Sequence, residues 1–178
     1  MSLRFVSQIT QQVFLGNTVR ENHALEHATI ALLSKKFPET RLAGVSIAPG
    51  FFIFGDVPES SILTTAEEAL SLLRGSEPFL AIHERCGTNL AVAGFMTGSA
   101  ALLVSKLPKP FNTFNNVILA STSALLFARP VGMLAQRYLT THTPNESMRI
   151  VSVHRLMWLG KPAHFVVTDN PGVAGFLR

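Results

Sequence analysis

The residues best suited to chemistry form the segment His23-Ala24-Leu25-Glu26-His27. On an α-helix, residues four apart differ by about 40° in direction, so His23 and His27 lie one turn apart and both imidazoles can reach one metal ion. Glu26 lies about 60° to the other side of His23. The spacing therefore predicts a metal site on one helix face, with two histidine ligands and a carboxylate beside them.

A second group of candidate ligands follows in His83-Glu84-Arg85-Cys86, which offers an imidazole and a thiol at ligand spacing. Zinc readily takes this combination of donors. We therefore predict zinc as the cofactor. The predicted ligands are His23, His27, His83 and Cys86, with His154 and His164 in reserve. The alternative is structural, because single cysteines are commonly buried as small apolar residues and Glu26 can simply orient a histidine or pair with a lysine.

The number of protein ligands separates two kinds of site. Four ligands close a tetrahedral zinc site and make it structural. Three ligands leave a position for water, and Glu26 is then the predicted catalytic residue, acting as a general base.

Two uncharged stretches in the middle of the chain predict a membrane anchor, Cys86 to Ser105 and Pro110 to Ala128. A helix of about 20 residues spans about 30 Å, the thickness of a bilayer core. Between them lies Lys106-Leu107-Pro108-Lys109, a short basic turn. Gly94 and Gly98 have the spacing of closely packed membrane helices. The alternative is a hairpin buried in a soluble core.

The sidedness of the hairpin is predicted from its flanking basic residues. The domain side carries four of them and the turn two, which favours a cytoplasmic soluble domain: Arg74, Arg85, Arg129 and Arg137 against Lys106 and Lys109. The N-terminal segment Met1 to Phe5 does not resemble a signal peptide. A single cysteine agrees with a reducing compartment.

The flanking segments predict a small soluble α+β domain into which the transmembrane hairpin is inserted. We expect soluble parts at 1–85 and 129–178 that complete one domain, with the hairpin at 86–128. An N-cap is expected at Asn17-Thr18. The predicted helices are 19–36 and 64–73, and the predicted strands lie within 45–57, broken at Pro49-Gly50, and at 79–83, 150–154 and 164–168.

Nucleic acid is not an expected partner, although the sequence pI is about 9.7. The basic residues are scattered singly, and no cluster of them alternates with aromatic residues. The expected partners are membrane lipid and either a membrane-protein substrate or a partner complex.

Two resemblances extend this interpretation. The blocks Asn22-His23-Ala24-Leu25-Glu26-His27-Ala28-Thr29-Ile30 and His83-Glu84-Arg85-Cys86-Gly87-Thr88-Asn89, followed by the hairpin, resemble an uncharacterised family of small membrane proteins of cyanobacteria and related photosynthetic bacteria. This implies a thylakoid or plasma membrane. The H-x-x-E-H order also resembles that of inverzincin metallopeptidases, in which two histidines bind zinc and the glutamate activates water. The downstream glutamate ligand of those larger enzymes has no recognisable counterpart here.

Two functions are therefore expected from the sequence. The first is a membrane-anchored, zinc-binding protein with a metallopeptidase-like site at the membrane surface. The alternative is a non-enzymatic assembly or accessory factor of a photosynthetic membrane complex, with a structural metal or none.

Overall fold

The computed structural model describes residues 16–169 of the chain. They fall into two compact units, one formed by the two ends of the chain up to Ile82 and from Thr140 onward, the other by His83–Leu139. The N-terminal segment Met1 to Phe5, for which no signal peptide was predicted, lies outside the described residues.

The first unit has the α+β fold that the sequence predicted, and its strands form a four-stranded antiparallel sheet. Its strands are β1 (Ala43–Ile47), β2 (Gly50–Phe54), β3 (Arg149–Trp158) and β4 (Lys161–Asp169), and their order in the sheet is β1-β2-β4-β3. Helix α1 (Asn17–Lys36) packs against β1 and β2, and helix α2 (Glu59–Arg74) packs against α1 and β3. The expected break at Pro49-Gly50 is confirmed as a hairpin turn, and the strands predicted over 150–154 and 164–168 are joined in a second hairpin around Gly160.

The core of this unit lies between the helices and one face of the sheet. Alternation along the strands places Phe51 and Ile53 of β2 opposite Val166 and His164 of β4 on that face. These four side chains are fully buried, together with Leu25, Leu33 and Ile62 of the helices. The inward side chains of β2 and β4 thus pack against the inward side chains of the two helices and form the core.

Several elements differ from their predicted form in the structure. Helix α1 has Gly16 at its N-cap and no side-chain cap, so the predicted cap at Asn17-Thr18 is wrong. Helix α2 begins at Glu59, with Pro58 at its N-cap, rather than near Thr64, because the missing N–H of a proline removes no helix hydrogen bond at this position. The strand predicted over 79–83 is instead a 3₁₀ helix, Pro78–Ala81, with the proline in its first turn.

The second unit is a pair of helices, α3 (Gly87–Ser105) and α4 (Phe114–Ala135), and α4 continues through a π-helical turn, Gln136–Thr140. Both helices are long and apolar enough to cross a membrane by length and composition. The second begins four residues later than predicted, and it passes through Pro130 without ending. Cys86 stands at the N-cap of α3, as its predicted position at the start of that segment requires.

The glycine that allows a close approach of α3 and α4 is not one of the two that the sequence spacing indicated. A Cβ at Gly94 or Gly98 would meet no atom within 4 Å among the described residues. A Cβ at Gly132 of α4 would instead lie 3.0 Å from the Cα of Asn89 in α3. The close approach of the two helices therefore occurs at Gly132, because the helix period turns Gly94 and Gly98 to open sides.

Candidate metal centre

His23 and His27 lie on consecutive turns of α1 with their rings in contact, as the four-residue spacing predicts. Their ring centroids are 4.2 Å apart and the rings are inclined by 60°. His27 is buried and His23 is half-buried. The pair is thus close enough for both rings to bind one ion, on a helix held by the core of the first unit.

Two backbone carbonyls determine which nitrogen of each ring carries the hydrogen. The Nδ1 atom of His23 lies 2.9 Å from the carbonyl oxygen of Thr140, and that of His27 lies 2.7 Å from the carbonyl oxygen of Ala81. Because a carbonyl oxygen only accepts, each Nδ1 carries the hydrogen and donates it. In the neutral rings the lone pairs are therefore on both Nε2 atoms, the arrangement in which metal-binding histidines are normally oriented.

The carbonyl that orients His27 comes from the element that sequence analysis assigned wrongly. Ala81 is the last residue of the 3₁₀ helix, which packs against α1 and α2. A strand at this place would have its carbonyls committed to a sheet, whereas the end of a short helix leaves them available. Nothing in the sequence marks Ala81 or Thr140 as orienting groups, because the interaction uses only backbone atoms.

Glu26 is directed to the sheet of the same unit. Its carboxylate accepts a hydrogen bond of 2.5 Å from the hydroxyl of Ser46 in β1. A Cβ at Gly44 would lie 2.6 Å from the Glu26 Cδ, so the glycine makes room for this side chain. Glu26 is 5% exposed and helps to join α1 to β1. The role of general base remains a prediction.

Asn22 is the residue of this helix whose role the sequence analysis missed. Its amide donates to the carbonyl oxygens of Ile47 and Ala48 at 2.8 and 3.1 Å, and its Oδ1 accepts from the hydroxyl of Thr168 at 2.7 Å. The side chain is fully buried. It therefore fixes the helix turn that carries His23 to the β1–β2 turn and to β4. The signal available in the sequence was a polar residue within the apolar spacing of the helix.

Glu21 extends this polar layer. Its carboxylate accepts from the amide of Asn145 at 3.1 Å and lies 3.6 Å from the Nδ1 of His142. Arg20 on the preceding position donates to the carbonyl oxygen of Thr141 at 3.2 Å. The first turns of α1 are thus bound to the segment 140–145. The same segment provides the carbonyl oxygen that orients His23.

The other two predicted ligands, His83 and Cys86, belong to the second unit. The Nδ1 of His83 accepts a hydrogen bond of 3.3 Å from the backbone N–H of Arg85. In a neutral ring this places the hydrogen on Nε2, the opposite of the arrangement in His23 and His27. Within the second unit the Sγ of Cys86 accepts from the N–H of Thr88 at 3.4 Å, at the start of α3.

The block around His83 and Cys86 also has a structural role at the base of the helix pair. The amide of Asn89 donates to the carbonyl oxygen of Glu84 at 2.7 Å, and its Oδ1 accepts from Gln136 at 2.8 Å. Gln136 in turn accepts from the N–H of His83 at 2.9 Å. Arg129 forms an ion pair with Glu84. This network closes the end of the pair formed by α3 and α4.

The two reserve ligands lie on opposite faces of the sheet. His154 is exposed on the outer face, where its Nε2 lies 2.8 Å from the hydroxyl of Ser152. His164 is fully buried on the core face, and neither of its ring nitrogens has a hydrogen-bond partner among residues 16–169. Burial holds the pKa of His164 below its ordinary value of 6.5, and the charge of Arg155 lowers it further.

Comparison with known proteins places this arrangement in a family without assigning it a reaction. No solved structure matches the chain. An uncharacterized protein of the cyanobacterium Picosynechococcus sp. is 32% identical over 177 residues, which cover 92% of this chain and 83% of that protein. The model of a domain of unknown function, DUF6391, matches residues 18–153, which include all the predicted ligands except the reserve histidines His154 and His164. The chain therefore belongs to the DUF6391 family.

Proposed function

We propose that the chain is a membrane-anchored zinc-binding protein with a metallopeptidase-like site on α1. The observation that carries the proposal is the matched orientation of His23 and His27, since backbone carbonyls hold both rings with the lone pair on Nε2. Two rings 4.2 Å apart with the same tautomer are prepared for one ion. Packing of two histidines does not require a lone pair on the Nε2 of both rings, whereas binding of one ion by both does.

Zinc suits these donors better than calcium or magnesium, which prefer oxygen ligands. Beyond the histidine pair, His83 and Cys86 remain proposed ligands on the grounds of sequence spacing. Of the two, Cys86 offers the softer donor, and cysteine sulfur is a common ligand of zinc. The proposed ligands are thus His23, His27, Cys86 and His83, where binding of all four makes a closed structural site and binding of three leaves a position for water.

The membrane anchor is proposed on the character of the second unit. Large apolar side chains of α3 and α4 are exposed along their whole length, including Leu90, Phe95, Leu103, Leu119 and Leu126. Such surfaces are costly in water and normal in lipid. We propose an integral membrane protein with the first unit on the cytoplasmic side, in the thylakoid or plasma membrane of a photosynthetic bacterium.

In the enzymatic form of this proposal the substrate is a membrane protein. His23 and His27 would hold the zinc, which would supply Lewis-acid activation of a carbonyl, and Glu26 would serve as the general base that takes a proton from water. Support comes from the order of the three residues on one helix. The reaction needs a ligand position that the protein leaves open, so it requires three protein ligands and not four.

A second candidate function is an accessory or assembly factor of a membrane complex, with a structural metal. The observation in its favour is the environment of Glu26, whose carboxylate is bound by Ser46 and packed against Gly44. A carboxylate held in this way stabilises the junction of α1 and β1 without any reaction. In this case the metal fixes α1, and the partner binds elsewhere.

Metal content of the detergent-purified protein tests the common part of both candidates. We expect roughly one zinc per chain, lost in His23→Ala. The matched control is His154→Ala, because that exposed ring lies on the outer face of the sheet and should keep the metal. Loss on Cys86→Ala or His83→Ala as well identifies further ligands. Absence of bound metal from protein purified without chelators, together with no uptake of added zinc, contradicts the proposal.

The exchange Glu26→Gln separates the two candidates. The amide keeps the volume and can still accept from Ser46, but it cannot take a proton. An enzyme loses proteolysis of membrane-protein substrates and keeps its zinc, whereas an accessory factor keeps both zinc and partner binding. Ser46→Ala is the control, since it removes the hydrogen bond of 2.5 Å and leaves the carboxylate in place.

A further inference from the structure

The turn that joins β3 and β4 is the most apolar exposed feature of the first unit. Met157, Trp158 and Leu159 follow one another and are 62%, 55% and 90% exposed. The next residue is Gly160, and Lys161 begins β4. We call Met157 to Lys161 the hairpin tip.

The backbone of the tip makes this composition unusual. Leu159 and Gly160 both have positive φ, 49° and 75°, the conformation of a type I′ turn. Asn-Gly and Asp-Gly are the residues that form such turns at low cost, and a leucine in the left-handed region is strained. The Leu159 side chain also gains nothing from burial. Its presence is therefore not explained by the stability of the hairpin.

The shape of the apolar surface indicates what covers it. Successive residues of a strand point to opposite faces, so Met157 and Trp158 lie on different sides of the hairpin, with Leu159 at its end. A flat protein surface contacts one side of such a hairpin, whereas lipid surrounds all sides. Trp158 also continues an aromatic series on the outer face of the sheet, with its ring 6.4 Å from that of Phe54.

The charged residues at the tip fit the same environment. Lys161 pairs with Trp158 in the hairpin register and is exposed, whereas Arg155, farther along the same hairpin, forms an ion pair of 2.9 Å with Asp56, so Lys161 is the residue suited to headgroups. Tryptophan is enriched at the boundary between lipid and water, and lysine reaches from there to the headgroups. We propose that the hairpin tip inserts into the interfacial layer of a bilayer with anionic headgroups. The inference rests on the proposed membrane anchoring of the chain.

The chain offers a direct probe, because Trp158 is its only tryptophan. The full-length protein is reconstituted in vesicles of phosphatidylcholine and phosphatidylglycerol with brominated acyl chains. Contact with lipid predicts blue-shifted emission that the brominated chains reduce to less than half and that aqueous iodide barely changes. Emission typical of water and quenched by iodide overturns the inference. Blue-shifted emission that brominated lipid leaves unchanged also overturns it, since a protein then covers the tip.

Variants of the tip give a second, independent readout. Leu159→Asn creates the favoured Asn-Gly turn, so it keeps the hairpin folded and should reduce lipid quenching and the blue shift. Val45→Thr is the matched control, because Val45 is 52% exposed on the edge strand at the other side of the same sheet. It should leave quenching unchanged. Equal quenching in Leu159→Asn and the wild type contradicts insertion of the tip.

Retention of the protein on vesicles after an alkaline wash separates the two failures. If the protein is retained and Trp158 is not quenched, the proposed membrane anchor stands and only the insertion of the tip is contradicted. Protein released by the wash overturns the anchoring and the tip inference together.

Discussion

Helices α1 and α3 have almost the same length, 20 and 19 residues, and opposite distributions of polar side chains. In α1 the residues Glu21, Asn22, Glu26 and His27 are all at most 5% exposed. In α3 no residue is buried, and its leucines and Phe95 are largely exposed. Helix α1 thus buries polar side chains in the core of the first unit, whereas helix α3 exposes apolar side chains.

The difference is explained if the two helices lie in different environments, α1 in a protein core and α3 in lipid. Polar residues of α1 are tolerated inside because each makes hydrogen bonds, so the cost of removing them from water is offset. The apolar residues of α3 have no such compensation in water, where exposure costs about 25 cal/mol per Å² of apolar surface. This inversion supports the proposal that lipid surrounds the second unit.

The largest effect is expected where the buried polar layer of α1 is broken. Asn22→Leu keeps the volume but leaves the carbonyls of Ile47 and Ala48 and the hydroxyl of Thr168 without this partner. We expect the free energy of unfolding to fall by about 3 kcal/mol, since each buried unsatisfied group costs about 1–3 kcal/mol. Denaturant titration in detergent, followed by the fluorescence of Trp158, measures the loss.

Thr168→Val is the control for this exchange. It removes one of the three hydrogen bonds of Asn22 and keeps the shape of the strand residue. We expect a clearly smaller loss than for Asn22→Leu. Equal stability of Asn22→Leu and the wild type contradicts the view that buried polar residues of α1 stabilise the fold through their bonds.

A smaller effect is expected for the close contact in the second unit. Gly132→Ala places a Cβ 3.0 Å from the Cα of Asn89, which is backbone and does not move aside easily. We expect a loss of about 2 kcal/mol and a lower thermal midpoint in detergent. Gly94→Ala is the matched control on α3, because its Cβ would meet no atom within 4 Å among residues 16–169. If Gly94→Ala is the more harmful change, Gly132 is not where the two helices need a small residue.

The smallest effect is expected for His164, which lacks the hydrogen bonds that the polar residues of α1 make. Because burial lowers its pKa in the folded protein, the unfolded chain takes up a proton near pH 6.5 when the folded protein does not. Proton uptake by His164 of the unfolded chain therefore does not affect stability well above pH 6.5. Below that pH it favours the unfolded chain, so the free energy of unfolding decreases as the pH falls. We expect the free energy of unfolding to fall between neutral and mildly acidic pH, by less than the loss expected for Gly132→Ala.

The exchange His164→Leu isolates that contribution. The variant should lose less stability than the wild type between neutral and mildly acidic pH, measured by denaturant titration at each pH. An identical pH dependence in both proteins shows that protonation of His164 in the unfolded chain does not contribute.

Much of the fold was predictable because it depends on local patterns. The alternating apolar residues and the Pro49-Gly50 and Gly160 turns define both hairpins of the sheet, and the uncharged runs define the long helices. The 3₁₀ helix at Pro78–Ala81 was not predictable, because a short apolar segment has no period that distinguishes strand from helix. The start of α4 was also displaced, since the residues after Pro110 form turns before the helix begins.

The shared helix face of His23 and His27 follows from their spacing alone, because helix geometry relates residues four apart without any tertiary contact. Which nitrogen of each ring carries the hydrogen depends instead on the folded chain, since the carbonyls of Ala81 and Thr140 come from distant segments. The folded chain also brings Glu26 to Ser46 and joins α1 to β4 through Asn22. Spacing along one helix fixes directions, whereas hydrogen-bond partners depend on which other segments the fold brings to that helix.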